Sequence, residues 1–135
     1  MADVLLDSSV LLDIFTQDPE WFEWSSETVA EMAESHALVI NPVVYAEISI
    51  RFDRIEELEA VLGAAAIERR GVPWEAAFLA GKCFVTYRKK GGPRRSPLPD
   101  FLIGAHAAVT GMPLVTRDAR RYRTYFPKLE VVAPS

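Results

Sequence analysis

The sequence predicts an α/β fold organised on a parallel sheet. Three observations carry that expectation. Short runs that are apolar on both faces, Val4-Leu5-Leu6, Leu38-Val39-Ile40 and Pro113-Leu114-Val115-Thr116, read as buried strands of the kind parallel sheets use. Segments with helical apolar spacing lie between them, several opened by a clear start signal. The first and third runs each lead into an aspartate that opens a helix, Asp7 and Asp118.

In chain order, Asp7 ends the first strand at the edge where open α/β sheets place their ligands. Ser8 or Ser9 is expected to cap the short helix over residues 10–15, in which Asp13 is expected to face solvent without a role. Asp18-Pro19-Glu20 starts the next helix with a capping acid, a first-position proline and a first-turn acid. Trp21, Trp24, Thr28 and Met32 fall at helical spacing along it, as internal packing or as a partner groove. His36 at its end suits the negative pole of the helix. After the second strand, Asn41-Pro42 opens the helix that carries Glu47.

Asp53 is expected to cap a further helix with the apolar stripe Ile55, Leu58, Leu62 and Ala65, its Glu56, Glu57 and Glu59 facing water. Residues 66–68 suit a short edge strand. Gly71-Val72-Pro73 precedes a helix to about Lys90, along which Trp74, Ala77, Phe78, Gly81 and Val85 repeat at helical spacing. Gly91-Gly92-Pro93 stops it. Pro97 and Pro99 stiffen the approach to an apolar helix of small residues with Asp100 in its first turn. His106 on that helix reads as a hydrogen-bonded core residue. The third strand is followed by Arg117-Asp118 and by a basic helix with Arg120, Arg121 and Arg123 beside Tyr122, Tyr125 and Phe126. A last strand lies within residues 129–132.

Composition bounds the function. At 135 residues the chain suits one domain, residues 1–135, with a substantial core. No apolar run is long enough to span a bilayer, so a cytoplasmic protein is expected, with no membrane partner. The single cysteine, Cys83, fits a reducing compartment and reads as a core residue. Residues 1–81 hold sixteen acidic and four basic side chains, whereas residues 82–128 hold eleven basic and two acidic ones. A basic half inside an acidic protein points either to a polyanion or to mutual attraction of the two halves.

The acids carry the chemistry. Glu47 sits among Val43, Val44 and Ile50, where an acid calls for a partner, either Arg51 one turn on or a metal. Asp100 and Asp118 each have a local reading as helix-terminal acids, and they are the only acids of the basic half. If Asp7, Glu47, Asp100 and Asp118 converge, their mutual repulsion demands protons or cations. Oxygen-only ligands suit Mg²⁺ or Mn²⁺. A carboxylate-held metal within a rim of Arg and Lys suits phosphodiester hydrolysis. Arg88, Arg94 and Arg95, around the Gly-Gly-Pro turn, and Arg117 and Arg120 are the expected polyanion contacts. No GxSxG elbow, Cys/His pair, P-loop or GxGxxG is present. An aspartyl-phosphate phosphatase wants a second Asp two positions after the first, and Ser9 stands there.

The segments Leu5-Leu6-Asp7-Ser8-Ser9-Val10-Leu11-Leu12, Asn41-Pro42-Val43-Val44-Tyr45-Ala46-Glu47-Ile48, Leu98-Pro99-Asp100-Phe101-Leu102-Ile103-Gly104-Ala105-His106-Ala107 and Leu114-Val115-Thr116-Arg117-Asp118 occur in an order that resembles PIN-domain ribonucleases, and closely the VapC-type toxins of bacterial toxin–antitoxin pairs. The resemblance covers almost the whole chain. It implies a three-layer α/β/α sandwich with a mostly parallel sheet, and one or two Mg²⁺ or Mn²⁺ ions held by Asp7, Glu47, Asp100 and Asp118 as the catalytic set. Ser9 and Thr116 match the hydroxyl positions of metal-site helpers. It further implies an endoribonuclease cutting single-stranded or loop RNA, often in tRNA or ribosomal RNA, a homodimer, and a cognate antitoxin that covers the site. The alternative from another class is a non-catalytic RNA- or protein-binding module on the same scaffold. A DNA nuclease of the same metal class is a third reading.

Overall fold

The computed structural model describes residues 2–93 and 97–135. Strands β1 (Ala2–Leu6), β2 (His36–Ile40), β3 (Glu68–Arg69), β4 (Leu114–Val115) and β5 (Val131–Val132) form one sheet. Every pairing is parallel, and the order across the sheet is β3-β2-β1-β4-β5. Helices fill the crossovers: α1 (Ser8–Phe15) and α2 (Phe22–Ser35), α3 (Pro42–Ser49) and α4 (Ile55–Ala64), α5 (Trp74–Lys89) and α6 (Leu98–Thr110), and α7 (Arg120–Tyr125). This is the expected α/β/α sandwich on a parallel sheet.

The strand order positions the site. The chain begins in the middle of the sheet, steps outward through β2 to β3, then returns to lay β4 on the other side of β1. Leu5 pairs with Val39 on one side and with Leu114 on the other. The order therefore reverses between β1 and β4. Crossovers leave these two strands in opposite directions, which opens a crevice beyond their C-terminal ends. Asp7 follows β1 at that point, and Thr116 to Asp118 follow β4.

The core explains why such short strands suffice. Val4, Leu5, Leu6, Val39, Ile40, Leu114 and Val115 have no exposed surface, as strands covered on both faces require. Helix α6 contributes Phe101, Ile103, Ala105 and Ala107 to the same core. A Cβ at Gly104 would lie 2.4 Å from the Phe126 ring and 3.0 Å from Tyr122, so the glycine lets α7 press onto α6. His106 is buried with its Nδ1 3.2 Å from Asn41 Nδ2, and burial holds its imidazole below the usual range. It is the core histidine expected. Asn41 also caps α3 by accepting from the Val44 amide at 3.0 Å. Cys83 is buried and unpaired, as expected.

Several local expectations are corrected. The Asp18 carboxylate accepts from the Glu20 and Trp21 amides, both at 2.9 Å, but regular helix begins only at Phe22. His36 stands at the end of α2 as expected, where its amide donates to the Met32 carbonyl, and it also starts β2; its Nδ1 lies 2.8 Å from Ser35 Oγ. Arg54, not Asp53, occupies the cap of α4, and its amide donates to Glu57 at 3.1 Å. Glu59 accepts from both Tyr45 and Arg69 at 2.7 Å, tying α4 to α3 and β3, so that acidic run is not simply a solvated face. The apolar repeat along α5 is turned outward: Trp74 and Phe78 are 86% and 68% exposed. Ala76, Ala80 and Cys83 are the buried residues, because α5 packs on α6 and small side chains permit close approach.

Candidate active site

Asp7 is placed by backbone on both sides. Its amide donates to the Val115 carbonyl at 2.9 Å, extending the β1–β4 ladder, and α1 begins one residue later. The side chain is only 6% exposed. Oδ2 accepts from Ser9 Oγ at 2.8 Å and from Thr116 Oγ1 at 2.7 Å, and Oδ1 accepts from the Tyr122 hydroxyl at 3.3 Å. Burial pushes this carboxyl above its usual range, the Thr116 and Ser9 hydroxyls oppose that shift, and the charge of Asp100 reinforces it.

Ser8 and Ser9 do not cap α1. Ser9 holds Asp7, while Ser8 Oγ donates to Glu47 Oε1 at 2.8 Å. Two adjacent hydroxyls thus hold carboxylates that lie 40 positions apart in the chain. Glu47 has no ion pair with Arg51 among the described residues. Burial raises its pKa, with the charges of Asp7 and Asp100 adding to the rise and the Ser8 hydroxyl opposing it. Tyr122 feels the same three acids and is held far above an ordinary phenol, chiefly by burial, so it remains a donor to Asp7.

Asp100 lies in the first turn of α6 and accepts from Arg121 Nη1 at 2.7 Å. Asp118 is exposed after β4. Its Oδ1 accepts from the Arg120 amide at 3.3 Å, and its own amide donates to Thr116 Oγ1 at 3.2 Å. Asp7, Asp100 and Asp118 line one cleft of about 560 Å³ together with Ser9, Arg117, Arg120 and Arg121. Glu47 stands behind this cleft, linked through Ser8, which lines it. Among the described residues no three acidic, histidine or cysteine side chains close into a ready metal cage. Asp100 is engaged by Arg121, and Asp7 by three hydroxyls.

The basic residues divide. Arg120 is exposed and lines the cleft. Arg88 donates to the Gly92 carbonyl at 2.9 Å, which closes the end of α5. Arg94 and Arg95 lie outside the described residues. Arg117 is committed internally: Nε and Nη2 donate to the two Asp13 oxygens at 3.0 and 3.1 Å, and its guanidinium carbon lies 5.9 Å from the Trp21 ring centroid. The Arg117 amide also donates to Ser9 Oγ at 3.2 Å.

Asp13 therefore does not face solvent. It is 2% exposed and also accepts from Ser25 Oγ at 2.8 Å. The signal was present in the sequence: an acid inside the apolar run Val10-Leu11-Leu12-Asp13-Ile14-Phe15 demands a partner by the argument applied to Glu47. Arg121 and Tyr122 were likewise passed over as members of a basic helix.

Comparison with known proteins now bears on this geometry. The PIN domain family model matches residues 4–127. The chain belongs to the PIN domain family. Solved structures similar to this PIN domain include VapBC2 from Rickettsia felis bound to a DNA fragment from their promoter, with a TM-score of 0.73 and 18% identity over 98% of each chain. VapBC-1 from nontypeable Haemophilus influenzae matches with a TM-score of 0.71 and 19% identity over 96% of each chain. DNA-bound VapBC from Salmonella typhimurium matches with a TM-score of 0.69 and 22% identity over 98% of each chain. At these identities the likeness is one of fold. A search of curated proteins found no match.

Two predictions test this site as built. Replacing Asp13 by alanine strands the Arg117 guanidinium, which is partly exposed, so the cost falls below that of a fully buried pair, at about 2–3 kcal/mol in urea unfolding. A loss below about 0.5 kcal/mol would show that the pair is not a strut. The second concerns pH. The folded chain holds the Asp7 proton more tightly than the unfolded chain, whose carboxyl has the usual value of 3.8. Stability from this group is therefore fully present below that value and lost as pH rises through the raised one. In metal-free buffer, Asp7→Asn should melt above the wild type near neutral pH, with the gap closing in acid. A wild type that melts higher near neutrality would contradict the assignment.

Proposed function

We propose that this PIN domain is a Mg²⁺- or Mn²⁺-dependent endoribonuclease and the toxin of a toxin–antitoxin pair. The observation that carries the reading is the meeting of buried Asp7 and partly buried Glu47, beside Asp100, at the point where the strand order reverses. Their donors are all oxygen, which suits a hard divalent cation; burial chiefly raises both pKa values and neighbouring acids add to the rise, a cost that a bound cation would relieve. Asp7, Glu47, Asp100 and Asp118 would hold the ion or ions. Arg121, now the cation on Asp100, would give way to it.

A bound divalent ion supplies an activated water and counter-charge for the attacked phosphate. This chain's residues do the rest. Thr116, Ser9 and Tyr122 hold the Asp7 carboxylate in one orientation, and Ser8 does the same for Glu47. The Asp13–Arg117 pair pins the short segment between β4 and α7, fixing Thr116 and Asp118 on its two sides. Arg120 and Arg121 line the cleft where substrate phosphates would lie, and Arg88, Arg94 and Arg95 would extend that basic surface.

The toxin assignment draws on the solved relatives, which include a toxin–antitoxin complex from Klebsiella pneumoniae that the chain matches over 98% of each chain. The partners proposed here are a cognate antitoxin and a second copy of this chain. The exposed Trp74 and Phe78 of α5 provide apolar surface of the kind such contacts use. The target class is tRNA or ribosomal RNA. No helix among the described residues is long and apolar enough to cross a membrane. The cytoplasmic location belongs to the toxin reading, whose RNA targets lie there.

A second reading, a non-catalytic RNA- or protein-binding module, is favoured by one observation: the Arg121–Asp100 ion pair already neutralises one acid of the set. Cleavage decides between them. Purified protein given total RNA with Mn²⁺ or Mg²⁺ should yield discrete products that vanish in EDTA. Residues that only support a metal ligand cost about 10–100-fold when lost, so removing a ligand by Asp7→Asn should cost at least about 100-fold. A folded Asp7→Asn chain that cuts at the wild-type rate would sink the site assignment.

A further inference from the structure

We propose that Tyr87 and Tyr125 form a stacking platform for an unpaired nucleobase beside the carboxylate cluster, and so position the strand that this cleft engages. The inference deepens the nuclease reading and rests on it. Both rings line the cleft that holds Asp7, Asp100 and Asp118, yet they arrive from elements distant in sequence, the ends of α5 and α7. Each leans on Phe101, the neighbour of Asp100. The Tyr87 and Phe101 centroids are 6.1 Å apart at 72°, and those of Tyr125 and Phe101 are 4.8 Å apart at 59°. Phe101 is fully buried, so one rigid ring sets the pose of both tyrosines relative to Asp100.

Tyr87 is braced twice more. Its ring lies 6.3 Å from that of Phe84, and the chain at Gly92 runs so close that a Cβ there would sit 2.4 Å from the Tyr87 ring. Rings held this way bind with little further loss of side-chain freedom. Both tyrosines are only partly buried, so ring surface remains toward the cleft.

The chemistry of the wall selects its ligand. A site that needs only to grip phosphodiesters needs cations, and Arg120 and Arg121 supply them here. A tyrosine hydroxyl can donate to a phosphate oxygen, but the rings themselves match the π-face of a base, which stacks on aromatic side chains irrespective of sequence. The Lys90 ammonium lies over the Tyr125 ring, 5.7 Å from its centroid, and its flexible stem lets it swing aside when a base stacks on that face. The cavity, about 560 Å³, falls in the usual range for small-molecule sites of about 300–1,000 Å³. In a duplex the bases cover one another's faces, so this platform accepts only unpaired nucleotides.

The test is fluorescence anisotropy of a fluorescein-labelled polyadenosine RNA, and separately of a blunt RNA duplex, in EDTA across a range of salt. Tyr87→Leu and Tyr125→Leu should each weaken single-strand binding by about 5- to 10-fold. The slope of affinity against salt should not change, because no cation–phosphate contact is lost, and duplex binding should match the wild type. Arg120→Ala should instead lower the salt slope by about one. Tyr125→Trp, which keeps an aromatic ring on Phe101, should bind at least as tightly as the wild type and carries the test if the leucine variants unfold. Unchanged single-strand affinity in the leucine variants, a loss shared equally by the duplex, or a Tyr125→Trp chain as weak as Tyr125→Leu would overturn the platform alone. A wild-type chain that binds neither RNA would overturn the RNA reading and the platform together.

Discussion

A carboxylate at the end of a buried strand has few ways to exist, and Asp7 shows what it requires. Its amide completes the β1–β4 ladder, so the side chain cannot retreat from the crevice without breaking the sheet. Charge in that position is costly, and hydroxyls from Ser9, Thr116 and Tyr122 offset the cost only in part, leaving the proton held more tightly than usual. Each of those hydroxyls comes from a different element: α1, the segment after β4, and α7. The need to solvate one acid thus ties together the parts of the chain that meet at the reversal of strand order.

Glu47 and Asp100 enlarge the same problem, because the charge of Asp100 adds to the rise that burial causes at both Asp7 and Glu47. Two kinds of arginine answer it differently. Arg121 neutralises Asp100 directly, in a pair open enough to exchange for another cation. Arg117, at the cleft's edge, pairs with Asp13 and lies against Trp21, and acts as a strut. Its backbone amide meanwhile reaches Ser9, so the strut and the Asp7 hydroxyl shell share a residue. The basic half of the chain thus serves both readings of its charge: attraction between the two halves at Arg117 and Arg121, and an exposed cation for a polyanion at Arg120.

The parts legible in the sequence are those set by neighbours in the chain. The strands announce themselves as apolar runs between breakers, and Asp7 and Glu47 stand out as acids in apolar surroundings, whereas Asp100 and Asp118 are local helix-terminal acids that gain meaning only beside the other two. Strand order and register depend on pairings across the whole chain, and no local pattern states them. The serines show the same limit: capping is the local use for Ser8 and Ser9, but their partners are set by tertiary contact, in the case of Ser8 with a residue 39 positions away. Hydrophobicity also misleads along α5. Packing onto α6 favours small side chains, so Ala76, Ala80 and Cys83 go inward and Trp74 and Phe78 outward. Asp13 was hidden because its Arg117 partner lies 104 positions on.

The central claim is that these acids form one site whose charge calls for a divalent cation. The most direct test is calorimetric titration of Mn²⁺ into the metal-free chain, without RNA, in mildly acidic buffers of different ionisation enthalpy. The account predicts saturable binding with proton release, since carboxyls with raised pKa values must give up protons to bind a metal, and at least a tenfold loss of affinity, or about 1.4 kcal/mol, in Glu47→Gln. A wild type without saturable Mn²⁺ binding, or a Glu47→Gln chain that binds equally well, would contradict it.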